Sequence, residues 1–361
     1  MTKISRRQAL VAGVAGAGAA ALTRPALARG NVHWRMVTSW PANLPGPGVS
    51  AARLAERIAA MSGGRLTIDV YAAGELVPAF EVFDAVAAGT AEIGHTASFF
   101  WQGKVPAAVA FTTLPFGLTP PEHVAWIEQG GGQQLWDALY ADHGLKPFMA
   151  GNTGFQMGGW FKAPVGSLED LRGVSIRAAG VGAEVFRRLG MNAQAIPPAE
   201  IYPALQQGVV EAVEFLGPFS DIALGFHRAA PHYLWPSFNK PNGTGEAIVS
   251  LAALEALDSD LREIVATACS REATAGLAEA DWMNGRAIDQ LVHEHDTELA
   301  RFPPDVIDAA RAAAEEVMAD LAAESPEAER VLDSYRAALR RLGGWSRVSM
   351  APFLAVREAG S

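Results

Sequence analysis

Apolar and polar positions follow two different periods along this chain, and the periods take turns. His33 to Ser39 reads as a strand. Val49, Leu54, Ile58 and Met61 then recur close to helical spacing, and Gly63-Gly64 stops that helix. Leu66–Tyr71 follows as a β-branched strand. Strands interleaved with helices predict an α/β protein whose sheets are largely parallel and covered. Leu261 to Cys269 reads as a helix with the cysteine among apolar neighbours. Near the end Val306, Ile307, Ala310, Ala314, Val317, Met318 and Leu321 form one helical stripe. Ser325-Pro326 then offers a cap and a first-turn proline for a second helix through Leu342. Such a stripe packs on the body of the protein or on a second subunit.

One stretch is echoed. Phe83-Asp84-Ala85-Val86-Ala87-Ala88-Gly89-Thr90-Ala91-Glu92 resembles Tyr202-Pro203-Ala204-Leu205-Gln206-Gln207-Gly208-Val209-Val210-Glu211, at a constant offset of 119. In each, an apolar helix face ends at a glycine, which fits the left-handed position after a helix, and a short strand begins. Two such units suggest two lobes built on one plan.

The first residues have another purpose. Arg6-Arg7 precedes an apolar run from Ala9 to Leu22 that is too short and too rich in Ala and Gly to span a membrane, and Ala26-Leu27-Ala28 has the small-x-small pattern of a cleavage site. Residues 1–28 are therefore expected to be a twin-arginine-type signal, removed on export to the periplasm. Loss of Lys3, Arg6, Arg7 and Arg24 takes the net charge from −10 to −14. So acidic a chain is a poor candidate for nucleic acid or an anionic membrane. The lone Cys269 cannot form an internal disulfide and reads as a small buried hydrophobe. No nucleophile elbow, zinc-protease motif or phosphate loop is present, and His293-Glu294-His295 reads as a solvated face. No catalytic residue is expected.

Leu171-Arg172-Gly173-Val174-Ser175-Ile176-Arg177, together with Glu200-Ile201-Tyr202-Pro203-Ala204-Leu205-Gln206-Gln207-Gly208-Val209-Val210-Glu211, resembles motifs of the solute-binding subunits of tripartite ATP-independent periplasmic (TRAP) transporters. Gly94–Ser98, Gln156–Trp160 and the final helices are similar to the subgroup that captures 2-oxo and related acids. The resemblance implies a two-lobed periplasmic binding protein fold with a hinge and C-terminal helices. It also implies closure on a small organic carboxylate and two membrane subunits as partners. In that subgroup a sodium or calcium ion can bridge protein and ligand, and some members dimerise through the C-terminal helix.

The resemblance assigns Arg177 as the carboxylate clamp, and its guanidinium can grip a carboxylate with two parallel hydrogen bonds. Asn152 and Gln156 share one face of a strand-like run and offer amides for a keto or hydroxyl oxygen. Trp40, Phe99, Phe100, Trp101 and Phe215 are candidates for the apolar wall. Metal-using relatives place carboxylates at the points held here by Glu214 and by the Asn239-Lys240-Pro241 turn. The first is kept and the second is Lys240, so no cofactor is favoured. Gln156 and Glu214 are the ligands left if a cation is present.

The expected organisation is lobe I from 29–151 plus 244–300, lobe II from 152–243, and C-terminal helices from 301–361 on the body or a dimer partner. The expected function is capture of a 2-oxo or 2-hydroxy monocarboxylate for a TRAP transporter. Capture of a dicarboxylate by Arg177 and Lys240, and a secreted hydrolase or isomerase on this fold, are the alternatives.

Overall fold

The computed structural model describes residues 31–359; the expected signal peptide lies outside the described residues. The strands are β1 (Val32–Thr38), β2 (Leu66–Tyr71), β3 (Ile93–Thr96), β4 (Leu145–Asn152), β5 (Gly159–Phe161), β6 (Ser175–Arg177), β7 (Asn192–Gln194), β8 (Ala212–Val213), β9 (His232–Trp235), β10 (Thr244–Ser250) and β11 (Glu298–Arg301). They form a five-stranded sheet in the order β2-β1-β3-β10-β4 and a six-stranded sheet in the order β11-β9-β5-β8-β6-β7. The echoed segments occupy equivalent places in them. Each is a helix, Val82–Ala87 or Ile201–Gln207, followed by a glycine at positive φ and then a central strand, β3 or β8.

The sheets are mixed rather than wholly parallel. β10 runs antiparallel to β3 and β4, and β5 runs antiparallel to β8 and β9. Both reversals have the same cause. The chain enters β5 and β10 from the opposite lobe, so each strand starts at the hinge, where its neighbours end. Among the described residues 153–158, 236–243 and the helix Ser259–Glu294 cross between the lobes, and the helices Pro304–Ala323 and Pro326–Ser346 return from the second lobe onto the first. The helix Ser259–Glu294 packs on β4 and on the helix Pro47–Met61 of the first lobe, and its later turns meet the helix Pro218–Leu224 of the second. Glu272 on it is fully buried yet matched, with Arg53 Nη2 and Ser50 Oγ both at 2.7 Å. The chain then enters β11, which pairs parallel with β9. Glu298–Arg301 thus sits in the second sheet, although the sequence grouped residues up to 300 with the first lobe.

Met36, Leu54, Ile58, Leu66, Ile93, Val249, Val265 and Cys269 form one core. Burial raises the Cys269 thiol well above its ordinary value, as suits an inert core residue. Trp160, Ile201, Leu205, Val213, Phe226 and Tyr233 form the counterpart in the second lobe. The C-terminal stripe is spent within the chain. Val306, Ala310, Ala314, Val317 and Leu321 are buried in the largest core cluster. Ser325 caps the helix Pro326–Ser346 through Ala328 N at 3.1 Å, and Tyr335 on that helix accepts a 2.7 Å hydrogen bond from Leu118 N. Among the described residues only the last helix, Met350–Glu358, buries nothing.

Candidate functional site

The directions of the strands decide where a site can form. β1, β3, β4, β6, β8 and β9 all end on the hinge side, and the residues just beyond them converge there. Open α/β sheets bind ligands outside the carboxyl ends of their strands. Trp40 follows β1, Phe99 and Phe100 follow β3, Asn152 closes β4, Arg177 closes β6, and Glu214 and Phe215 follow β8. Gln156 and Lys240 lie on two of the crossing segments.

Two cations are organised around one dipeptide. Arg177, 1 % exposed, donates from Nη1 to the Glu214 carbonyl at 2.7 Å and from Nε to the Ile196 carbonyl at 3.2 Å. Its guanidinium carbon lies 5.1 Å from the centre of the Phe215 ring. Nη2 has no hydrogen-bond partner among the described residues, so the fork is anchored on one side and free on the other. Burial pulls the guanidinium down to about 10, and the Glu214 charge opposes that fall, so Arg177 remains a cation at neutral pH. Lys240, 3 % exposed, places Nζ 2.7 Å from Glu214 Oε1 and donates to the Phe215 carbonyl at 2.5 Å. Burial lowers its pKa, and Glu214 opposes the fall. Glu214 Oε2 and Gln156 Oε1 have no hydrogen-bond partner among the described residues. Deeper in the second lobe Asp221 accepts from Trp160 Nε1 at 3.0 Å, Tyr233 Oη at 2.8 Å and Leu216 N at 3.2 Å. Burial still lifts its carboxyl to about 7.

The aromatic candidates divide. Phe99 reaches from the first lobe to the second: its ring lies 5.2 Å from Lys240 Nζ, and its Cβ is 3.0 Å from where a Cβ on Gly180 would stand. Gly180 has φ +69° and ψ −162°, a region essentially reserved for glycine, and so admits this contact. Phe100 packs on Trp40 and Phe80 with ring centres 5.9 and 4.8 Å away. Trp40 is fixed by donating from Nε1 to His95 Nδ1 at 2.9 Å. Trp101 turns away: it donates to Tyr140 Oη at 2.9 Å and packs on Phe83, inside the first lobe. The wall expected from four consecutive aromatic candidates is thus Trp40, Phe99 and Phe100, with Phe215 beneath Arg177.

Asn152 also has another occupation. Its Nδ2 donates to Asn242 Oδ1 at 3.0 Å and to Thr244 Oγ1 at 3.3 Å, and its Oδ1 accepts from Gly154 N at 2.8 Å. Asn242 Nδ2 reaches the Thr112 carbonyl at 2.8 Å, and Thr244 Oγ1 is 2.9 Å from His123 Nδ1. The amide expected to touch ligand ties two crossing segments together instead. Gln156 donates from Nε2 to Thr153 Oγ1 at 2.9 Å, a place it can take only because residue 243 is glycine; a Cβ there would lie 2.1 Å from Nε2. Sequence reasoning named the Asn239 turn but not Asn239 itself. That residue is 1 % exposed with an unpartnered Nδ2, a feature only the fold reveals.

The family described as Bacterial extracellular solute-binding protein, family 7, matches residues 37–325. The chain belongs to this family. A curated relative from Nostoc, the "Monocarboxylate 2-oxoacid-binding periplasmic protein", is 39 % identical over 319 residues, covering 88 % of this chain and 87 % of that one. Among solved structures, a TRAP transporter solute-binding protein from Bordetella bronchiseptica superposes with a TM-score of 0.89 at 34 % identity, over 92 % of this chain and 98 % of that one. It is a dimer with copurified calcium and picolinate. A TRAP periplasmic solute-binding protein from Pseudoalteromonas atlantica with bound sodium and pyruvate gives 0.87 at 34 % identity, over 90 % and 99 %. One from Colwellia psychrerythraea with calcium and pyruvate gives 0.87 at 32 % identity, over 90 % and 99 %. This TRAP solute-binding protein therefore has the two-lobed fold of its relatives, and among its described residues no helix is long and apolar enough to cross a membrane.

Proposed function

We propose that this protein captures a small organic monocarboxylate, a 2-oxo or 2-hydroxy acid, by closing its two lobes. It then hands the ligand to the membrane subunits of a TRAP transporter in the periplasm. Arg177 carries the reading: a buried guanidinium with one edge anchored on backbone carbonyls and the other unpartnered, at the junction of both lobes. Burying an unmatched cation is costly, so the site calls for an anion. The charges favour one carboxylate over two. Lys240 is in direct ion-pair contact with Glu214, whereas Arg177 has no carboxylate in contact and a free edge to offer one. The apolar wall of Trp40, Phe99 and Phe100 suits a short organic body. The relatives that bind pyruvate or 2-oxo acids support the class. Residues 31–151 with 244–297 act as one lobe and 152–243 with β11 as the other, and a twin-arginine-type signal directs export. Arg177, Lys240 and Gln156 hold the ligand and Phe215 underlies it.

The test is to purify the exported protein without added ligand, identify any retained molecule by native mass spectrometry, and titrate pyruvate, lactate and succinate by calorimetry. Retention of a molecule without a carboxylate, or a preference for succinate over both monocarboxylates, overturns the reading.

A further inference from the structure

We infer that the Lys240 ammonium takes the place of the metal cation that solved relatives hold with their ligand, so that this protein binds its carboxylate without sodium or calcium. The inference rests on the carboxylate-capture reading and adds the identity of the counter-ion.

Three solved relatives carry calcium or sodium along with an organic acid. Such cations need a shell of carboxylate, carbonyl and water oxygens. In this chain a carboxylate oxygen and a carbonyl oxygen do converge on one buried point, but the point is a lysine nitrogen. Nζ of Lys240 lies 2.7 Å from Glu214 Oε1 and 2.5 Å from the Phe215 carbonyl. Three buried acceptors here make no hydrogen bond, Gln156 Oε1 and both Glu214 oxygens, and of these only Glu214 Oε1 is matched, by the Lys240 charge. Against them stands charge. A metal ion sharing Glu214 with Lys240 would sit beside a buried like charge, with Arg177 anchored on the same residue's carbonyl. The other acid felt here, Asp221, already has its carboxylate bonded by Trp160, Tyr233 and Leu216, and among the described residues no cluster of three or more His, Cys, Asp or Glu side chains is placed to hold a metal. The residues present therefore do not fit a resident cation.

They do fit an ammonium. It has three donors; one goes to the Phe215 carbonyl, its charge is paired with Glu214 Oε1 at 2.7 Å, and donor capacity remains for a ligand. The ring of Phe99, 5.2 Å from Nζ, adds a favourable face for a cation. Lys240 is 3 % exposed, and its own carbonyl accepts from Ser237 Oγ at 2.9 Å, so the ammonium is held away from water. The positive charge that relatives acquire from solution is thus covalently part of the chain.

The experiment has a ligand-bearing arm and a metal-only arm. Wild-type protein is dialysed against chelator in sodium-free choline buffer and titrated with pyruvate and lactate, with and without calcium or sodium. Unchanged affinity is expected; binding that requires either metal overturns the inference and leaves carboxylate capture standing. Separately, calcium alone is measured by equilibrium dialysis on wild type, Lys240→Glu and Glu214→Gln. Lys240→Glu restores a second carboxylate and is expected to bind calcium more tightly than wild type by on the order of tenfold or more. Calcium bound by wild type and lost in Glu214→Gln overturns the inference even if neither acid binds. Failure of both acids in every buffer, with wild type still free of calcium, sinks the capture reading alone. Should Lys240→Glu not fold, the two wild-type measurements decide.

Discussion

Replacing Arg177 separates its structural bonds from its ligand bonds. Two of its donors go to the carbonyls of Ile196 and Glu214, and the free edge is available for a carboxylate. Arg177→Ala removes both. A hydrogen bond to a charged group contributes about 1.5–3 kcal/mol, so loss of one such bond weakens binding by roughly ten- to two-hundredfold. The same change strands two buried carbonyls and opens a cavity beside Phe215, so the melting temperature falls as well. Arg177→Lys keeps a positive charge but not the fork, which matches carboxylate geometry with two parallel donors. It is expected to lose affinity too while retaining more of the fold. Calorimetry with the retained ligand, alongside thermal denaturation of each variant, reads the two effects apart. Folded Arg177→Ala and Arg177→Lys proteins with wild-type affinity would remove Arg177 from the site.

Two further predictions concern stability. Gly180 holds φ +69° and ψ −162°, so Gly180→Ala imposes about 1–3 kcal/mol of backbone strain and pushes on Phe99; urea unfolding at wild-type stability would refute this. His123 is fully buried, and burial holds its imidazole down to about 4 from the ordinary 6.5. Its Nε2 donates to the Ala110 carbonyl at 3.1 Å, so Nδ1 is the acceptor for the Thr244 hydroxyl, and the neutral ring is the bonded form. The unfolded chain binds a proton below 6.5 and the folded one does not, so this contribution is full above 6.5 and is lost as pH falls to about 4, by roughly 3 kcal/mol. His95 and His227 are depressed in the same direction. The difference between wild type and His123→Gln therefore isolates the effect, and identical pH slopes for the two would rule it out.

Local pattern made the architecture legible where one element could be read by itself. The strand Leu66–Tyr71, the Ser325 cap and the two helix–glycine–strand units each follow from a few neighbouring residues. The antiparallel return of β5 and β10 did not, because it follows from which lobe the chain comes from. The site shows the same division. Arg177 and Glu214 stand beside recognisable motifs, and both lie at the hinge. Trp101 and Asn152 were drawn in by residue type and spacing, yet their polar atoms are taken by Tyr140, Asn242, Thr244 and Gly154, partners distant in sequence or dependent on a turn. For Asn239 nothing local signals that its Nδ2 is buried without a partner.

The Lys240 contacts also say where the hinge must bend. Lys240 lies on the segment from β9 back to the first lobe, yet its ammonium is held by Glu214 and the Phe215 carbonyl, both of the second lobe. Lys240 is thereby tied to the second lobe, although Phe238 just before it also accepts a 2.7 Å hydrogen bond from Phe116 N of the first. Asn242 and Thr244 are pinned to the first, through the Thr112 carbonyl and His123. Only Pro241 lies between the pinned points, with Gly243 just beyond, where Thr153 N reaches its carbonyl at 2.9 Å. The partner crossing has Gly154 at φ +69° in the matching place. We predict that an open, ligand-free crystal structure keeps Lys240 on Glu214 and takes up its torsion changes at 241–243 and 153–155. Breaking that pair would bare a buried charge on each side, the costliest way to open. A structure in which Lys240 leaves Glu214 and travels with the first lobe would show that the ammonium is a latch between lobes and not a fixed part of the binding wall.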